Sequence, residues 1–191
     1  MKKRGKKAQF YIMAAVIISG VIIALAIVLN VSDNREFNEL YDLGEELKIE
    51  SEKVLDYGVY NALDDQGIKD LTRDFTETYT KYKGDKKDLY FVFGNETRIT
   101  VAGYIGSDRD ASDVASEVVI RTPESQLGSM NIKETEGYVL STYPLNGNKE
   151  IIIEVDGIAY RFQLHGGEYF YFVINKRIGG QHYIVSNEQR D

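Results

Sequence analysis

The chain has no cysteine, two prolines and two histidines among its 191 residues. Without cysteine there is no disulfide framework, no thiolate metal site and no lipid-modified cysteine anchor. A folded domain in it has to be stable without covalent staples, which a chain of this length allows. The two histidines, His165 and His182, fall in separate strand-turn regions, and neither has a carboxylate at a metal-binding spacing. HExxH, GxSxG and a glycine-rich phosphate loop opening a helix are all absent. No set of titratable groups stands out, so the sequence points neither to an enzyme nor to a cofactor. There is also no internal repeat and no low-complexity tract.

Basic charge is scarce outside one place. Lys2, Lys3, Arg4, Lys6 and Lys7 hold five of the 23 basic groups, leaving 18 against 30 acidic groups, a net of −12 over the rest of the chain. An acidic body of this kind excludes nucleic acid as a partner, because phosphates need Lys and Arg. The densest acidic loop, GSDRDASDVASE, crowds Asp108, Asp110 and Asp113 together. A helix-loop-helix Ca²⁺ site would need Gly where Asp113 stands and Glu where Val119 stands. Both fail, and the loop reads as solvated. No metal site is expected.

What the chain does have is an apolar run. Residues 10–29 are 20 consecutive uncharged residues, which as a helix span roughly 30 Å, the thickness of a bilayer core. With the basic cluster on one side and the acidic body on the other, the positive-inside rule places the N-terminus in the cytoplasm and the rest outside. The expectation is a transmembrane helix with the lipid bilayer as a partner. A cleaved secretory signal is a rival reading, because Ala24-Leu25-Ala26 has a small-x-small form, but the apolar run continues past it. A plain membrane anchor is another. Small residues at Ala15 and Ser19, and at Gly20 and Ala24, have spacings that let helices approach closely.

The stretch Lys6-Lys7-Ala8-Gln9-Phe10-Tyr11-Ile12 resembles the processing site of archaeal type IV pilins and related filament proteins. The resemblance covers about the first 30 residues. It implies a cut between Ala8 and Gln9 by a prepilin-type peptidase, followed by packing of the apolar helix with copies of the same chain. Many pilins carry a Glu five residues into the mature chain; here that position is Met13. The order of features fits, since the basic residues and the small residue precede the helix.

Farther along, Asp33 and Glu36 have the spacing of a capping box, so a helix either restarts there or continues the apolar one. Phe37, Leu40, Gly44, Leu47, Ser51, Val54 and Gly58 alternate by three and four, which predicts one helical stripe packed on its own domain. After a turn at Asp64-Asp65-Gln66-Gly67, a second helix should present Ile68, Leu71, Phe75, Tyr79 and Tyr82, and stop at Gly84. From Leu89 the period changes to that of strands. LYFVF and TRITVAGYI flank a turn that carries Asn95-Glu96-Thr97, a glycosylation sequon; Asn30-Val31-Ser32 is another. Val118-Val119-Ile120 and Tyr138-Val139-Leu140 read as further strands. EIIIEV and IAYRFQL around Asp156-Gly157 predict a tight hairpin with positive φ at Gly157. EYFYFVIN and QHYIV should extend it into an antiparallel meander, whose aromatics are either an exposed binding face or core.

The expected fold is α+β: a basic leader (1–9), a transmembrane helix (10–30), a helical hairpin (31–84) and an extracytoplasmic antiparallel β domain (85–191). The expected role is a pilin-like structural or surface-filament subunit at the cell membrane. The alternative is a membrane-anchored extracytoplasmic binding or adhesion domain that does not assemble.

Overall fold

The computed structural model describes residues 5–84, 87–106, 115–133, 137–155, 157–167, 169–178 and 181–187. Two helices precede nine strands: α1 (Gly5–Tyr60), α2 (Asp65–Lys83), β1 (Asp88–Gly94), β2 (Arg98–Tyr104), β3 (Ala115–Arg121), β4 (Gln126–Lys133), β5 (Val139–Pro144), β6 (Glu150–Val155), β7 (Ile158–Gln163), β8 (Tyr169–Ile178) and β9 (Gln181–Ser186). The chain divides into two compact units, Met1–Glu39 and Leu40–Asp191.

The first unit is the amino-terminal part of α1. The helix does not restart at Asp33; it is continuous from Gly5 to Tyr60. The expected membrane span over 10–30 is not upheld, because among the described residues no helix is long and apolar enough to cross a membrane. The helix also runs on past the apolar sequence into charged residues. The single-pass transmembrane assignment falls with the span.

The second unit is mixed α+β with antiparallel sheets, as expected from 40 onward. The stripe of α1 is buried as its spacing predicts: Leu40, Leu47 and Ser51 are almost fully enclosed, and Gly44 and Gly58 are buried with them. Gly44 is needed for close approach, since a Cβ there would lie 2.5 Å from Val185 Cγ1. Asp64 caps α2 by accepting a hydrogen bond from the Gly67 N–H at 2.8 Å. Two polar contacts join α2 to α1 among the described residues: the Tyr79 hydroxyl donates to the Leu43 carbonyl at 3.3 Å, and Lys83 pairs with Glu46 at 3.0 Å.

The buried face of α2 is turned from the expected one. Ile68 and Tyr79 are buried as expected, but so are Thr72, Thr76 and Thr80, while Tyr82 is 81% exposed. Each threonine hydroxyl donates to the carbonyl four residues back, at 2.7–3.0 Å. That satisfies the hydroxyl internally and lets a polar side chain occupy a packed face. Gly84 does end the helix, with φ −74 rather than a left-handed turn.

Among the described residues nine strands form two sheets, ordered β5-β2-β1-β8-β9 and β4-β3-β6-β7. The expected four-strand meander is therefore split. The β6–β7 hairpin belongs to one sheet, whereas β8 crosses to the other and pairs with β1, Phe91 opposite Phe172. Strand β4 carries no clear alternation and is an addition to the expected strands. The five-stranded sheet is covered on both faces. Leu89, Phe91, Phe93, Phe170, Phe172 and Ile174 pack with Leu40, Leu43 and Leu47 of α1 and Tyr79 of α2. The alternate residues Tyr90, Val92, Val101 and Val173 pack with Val118, Ile120, Ile132, Ile153 and Phe162 of the other sheet. Burial on both sides is why β1 reads as an unbroken apolar run.

Two local features complete the second unit. Gly157 has φ +81, the left-handed value its hairpin requires. Past the end of β9, the Asn187 amide lies against the edge of β8. Its Oδ1 accepts from the Phe172 N–H at 2.7 Å and its Nδ2 donates to the Phe170 carbonyl at 3.0 Å.

Candidate functional site

The sequence singles out Ala8 and Gln9, the apolar helix that follows them, and Asn95. Ala8 and Gln9 lie in the opening turns of α1, where the backbone path is helical. Farther along, residues 15–23 are all exposed. Six of the nine are Val16, Ile17, Ile18, Val21, Ile22 and Ile23, each 54–65% exposed. They occupy every side of the helix, and Gly20 has nothing within 4 Å of where a Cβ would stand. Fully burying a Val or Ile side chain is worth about 1.5–3 kcal/mol. A helix apolar all round has its stable place inside an assembly or another apolar medium.

Asn95 sits between β1 and β2, half-buried, with its side chain committed. Its Oδ1 accepts from the Thr97 hydroxyl at 2.8 Å and from the Thr97 N–H at 3.1 Å. Its Nδ2, the atom that would carry a glycan, donates to Asp65 Oδ2 at 2.9 Å. The sequon thus serves as a turn that joins the β1–β2 loop to the start of α2. Asn30, of the other sequon, lies within α1.

The remaining candidates divide as follows. Asp108, Asp110 and Asp113 lie outside the described residues, and among the described residues no group of three or more His, Asp or Glu side chains could hold a metal. His165 is exposed in the β7–β8 connection, and His182 is in β9. The aromatic strands are core: Tyr160, Phe162, Tyr169, Phe170 and Phe172 are all buried, Phe162 and Tyr171 stacking at 4.9 Å.

Three tyrosines have raised pKa values among the described residues: Tyr171, through burial, and Tyr79 and Tyr138. Burial, with Glu46 and Glu50 nearby, holds the Tyr79 phenol well above its ordinary range. Burial also pushes Tyr138 up to about 12, although its hydroxyl, 2.6 Å from Thr76 Oγ1, is eased the other way by that hydrogen bond. Tyr79 is buried and Tyr138 half-buried, each in a packed position between α2 and its neighbours, and they read as structural.

Comparison with known protein families, with curated proteins and with solved structures finds no match. Nothing there supports the pilin-like or archaeal resemblance.

Proposed function

We propose that the chain is a structural subunit of a cell-surface assembly, and that it associates with copies of itself through the amino-terminal part of α1. The observation that carries this is the run 15–23, nine consecutive exposed residues, six of them Val or Ile. No stripe separates a buried from a solvated side there, so partners on several sides are needed to cover it. Like copies are the simplest such set, since the same helix supplies both surfaces. The basic leader fits this reading as a part to be shed before assembly, between Ala8 and Gln9, because burying five cations among apolar neighbours is prohibitive. No catalysis is included.

Two measurements test it. Mass spectrometry of the mature protein should find Gln9 at the N-terminus; retention of Lys6 and Lys7 would remove the processing step. Sedimentation of the protein beginning at Gln9 should show large assemblies that Ile18→Asp with Ile22→Asp converts to monomers, while the thermal unfolding of the β domain stays unchanged. A chain that is monomeric without those substitutions overturns the proposal and leaves a non-assembling binding domain.

A further inference from the structure

Three loops of the second unit meet at one end of the two sheets. The β1–β2 loop brings Glu96, the β5–β6 loop brings Gly147, Asn148 and Lys149, and the end of β7 with the loop after it brings Gln163, Leu164, His165 and Gly166. Between them is an open cleft of about 550 Å³, inside the range of about 300–1,000 Å³ usual for small-molecule sites. A second cavity of about 250 Å³ shares His165 and runs against Lys48, Ser51 and Glu52 of α1.

The loops are fastened to one another through the backbone. The Leu145 N–H donates to the Thr97 carbonyl at 3.0 Å, and the Leu164 N–H donates to the Lys149 carbonyl at 2.8 Å. The Tyr169 hydroxyl donates to the Asn95 carbonyl at 2.9 Å. Glu96 reaches across to the β7–β8 loop, where a Cβ on Gly166 would lie 2.9 Å from its Oε1. A rim tied at three points is preformed, and binding there loses little to loop ordering.

The lining selects by charge and by hydrogen-bonding type. Glu96 and Glu52 bring two carboxylates, and Lys149 and Lys48 bring two ammonium groups. That balance favours no ion of either sign. Apolar lining comes from Leu164 in the cleft and from Leu55, Phe170 and the rings of Tyr169 and Tyr171 in the second cavity, surfaces on which the C–H faces of a sugar ring can rest. Several polar groups are spent on the walls: Asn148 Nδ2 donates to the Leu145 carbonyl, and the Tyr171 hydroxyl to the Gln163 carbonyl. Glu96, Lys149, Gln163 and His165 supply both acceptors and donors to the one cleft. Hydroxyl groups, each able to donate and to accept, match such a mixture better than any group of one type.

We propose that this cleft binds a neutral saccharide, one ring beside Glu96, Lys149 and Gln163, with the adjoining ring passing His165 toward α1. The site is built from the second unit alone, its loops and the part of α1 that belongs to it, and is independent of assembly through the first. Calorimetric titration of the full chain with maltose, cellobiose and lactose, each to about 20 mM, tests it well above the roughly 1 mM Kd of a weak single site. At least one should give a saturable heat. Gln163→Ala and Lys149→Ala, both at exposed positions, should each weaken it tenfold or more without changing the melting temperature. Absence of a saturable heat with all three sugars overturns the proposal. So does a heat that both variants leave unchanged, or tighter binding of inorganic phosphate at the same residues.

Discussion

Residues 15–23 and 40–58 of α1 belong to one uninterrupted helix, yet their apolar side chains are arranged differently. In the first stretch they surround the axis, and all nine positions are exposed. In the second a stripe is buried, in which Leu40 and Leu47 are 0% exposed, Gly44 lets the sheet come close and Gly58 lies against Ile68 of α2. The amount of apolar sequence does not decide whether a helix is buried by its own chain. The period does: a stripe can be covered by one neighbour, whereas a ring of apolar residues needs several.

The sharpest way to break this comparison is to truncate one side chain from each stretch. Leu47→Ala should lower the unfolding free energy by about 2–5 kcal/mol, because a fully enclosed leucine leaves a cavity. Ile18→Ala should change it by less than about 0.5 kcal/mol. Urea denaturation reads both, and equal effects would erase the distinction.

Next come the glycines. Gly44→Val should cost about 1–3 kcal/mol through collision with Val185, part of which Val185→Ala should restore. Gly20→Ala meets no neighbour and should leave the second unit's stability unaltered.

Alkaline pH probes the second unit through α2. Below about pH 10 both folded and unfolded chains keep their phenol protons, and stability does not depend on Tyr79 or Tyr138. Above it the unfolded chain ionises while the folded one holds its protons, so stability falls as pH rises. Each tyrosine can contribute up to about 1.4 kcal/mol per pH unit, and the loss from Tyr138 levels off once pH passes about 12. The chain has 14 tyrosines and no tryptophan, so phenolate absorbance follows the titration without overlap. All tyrosines ionising together near pH 10, with the fold intact, would contradict the burial of these two.

The smallest effect belongs to a turn. Gly157→Val should cost about 1–2 kcal/mol, since a β-branched residue resists the left-handed backbone at φ +81. A variant as stable as the parent would mean that the hairpin can relax.

Much of the second unit is legible in the sequence because it depends on local period. The stripe from Leu40 to Gly58, the break between the two helices near Asp64 and the tight turn at Gly157 each need only nearby residues. The meander fails because strand pairing is a choice among distant partners. Nothing local to EYFYFVIN says that β8 pairs with β1, some 80 positions earlier, and leaves the hairpin before it in another sheet. Strand β4, QLGSMNIK, escapes a sequence reading because Gly128 and Ser129 interrupt its apolar pattern. The threonines of α2 escape it because their polarity is hidden only once their hydroxyls bond backward along the helix. Apolar length in the first stretch reads as a membrane span, although a helix of that kind can also be covered by protein. The cleft around His165 is invisible in the sequence, since its residues come from three loops separated by tens of positions and brought together by backbone bonds.

Asn187 has one more implication, for the ageing of the protein. Where the pairing with β9 ends at Val173 and Ser186, its amide continues the cover of β8, giving one acceptor to the Phe172 N–H and one donor to the Phe170 carbonyl. Hydrolysis of that amide would replace the donor nitrogen with an oxygen. Two acceptors would then face each other at the Phe170 carbonyl, and the backbone groups of Phe170 and Phe172 would lose their cover. Slow chemical change of one side chain would open β8 at the end where β9 stops.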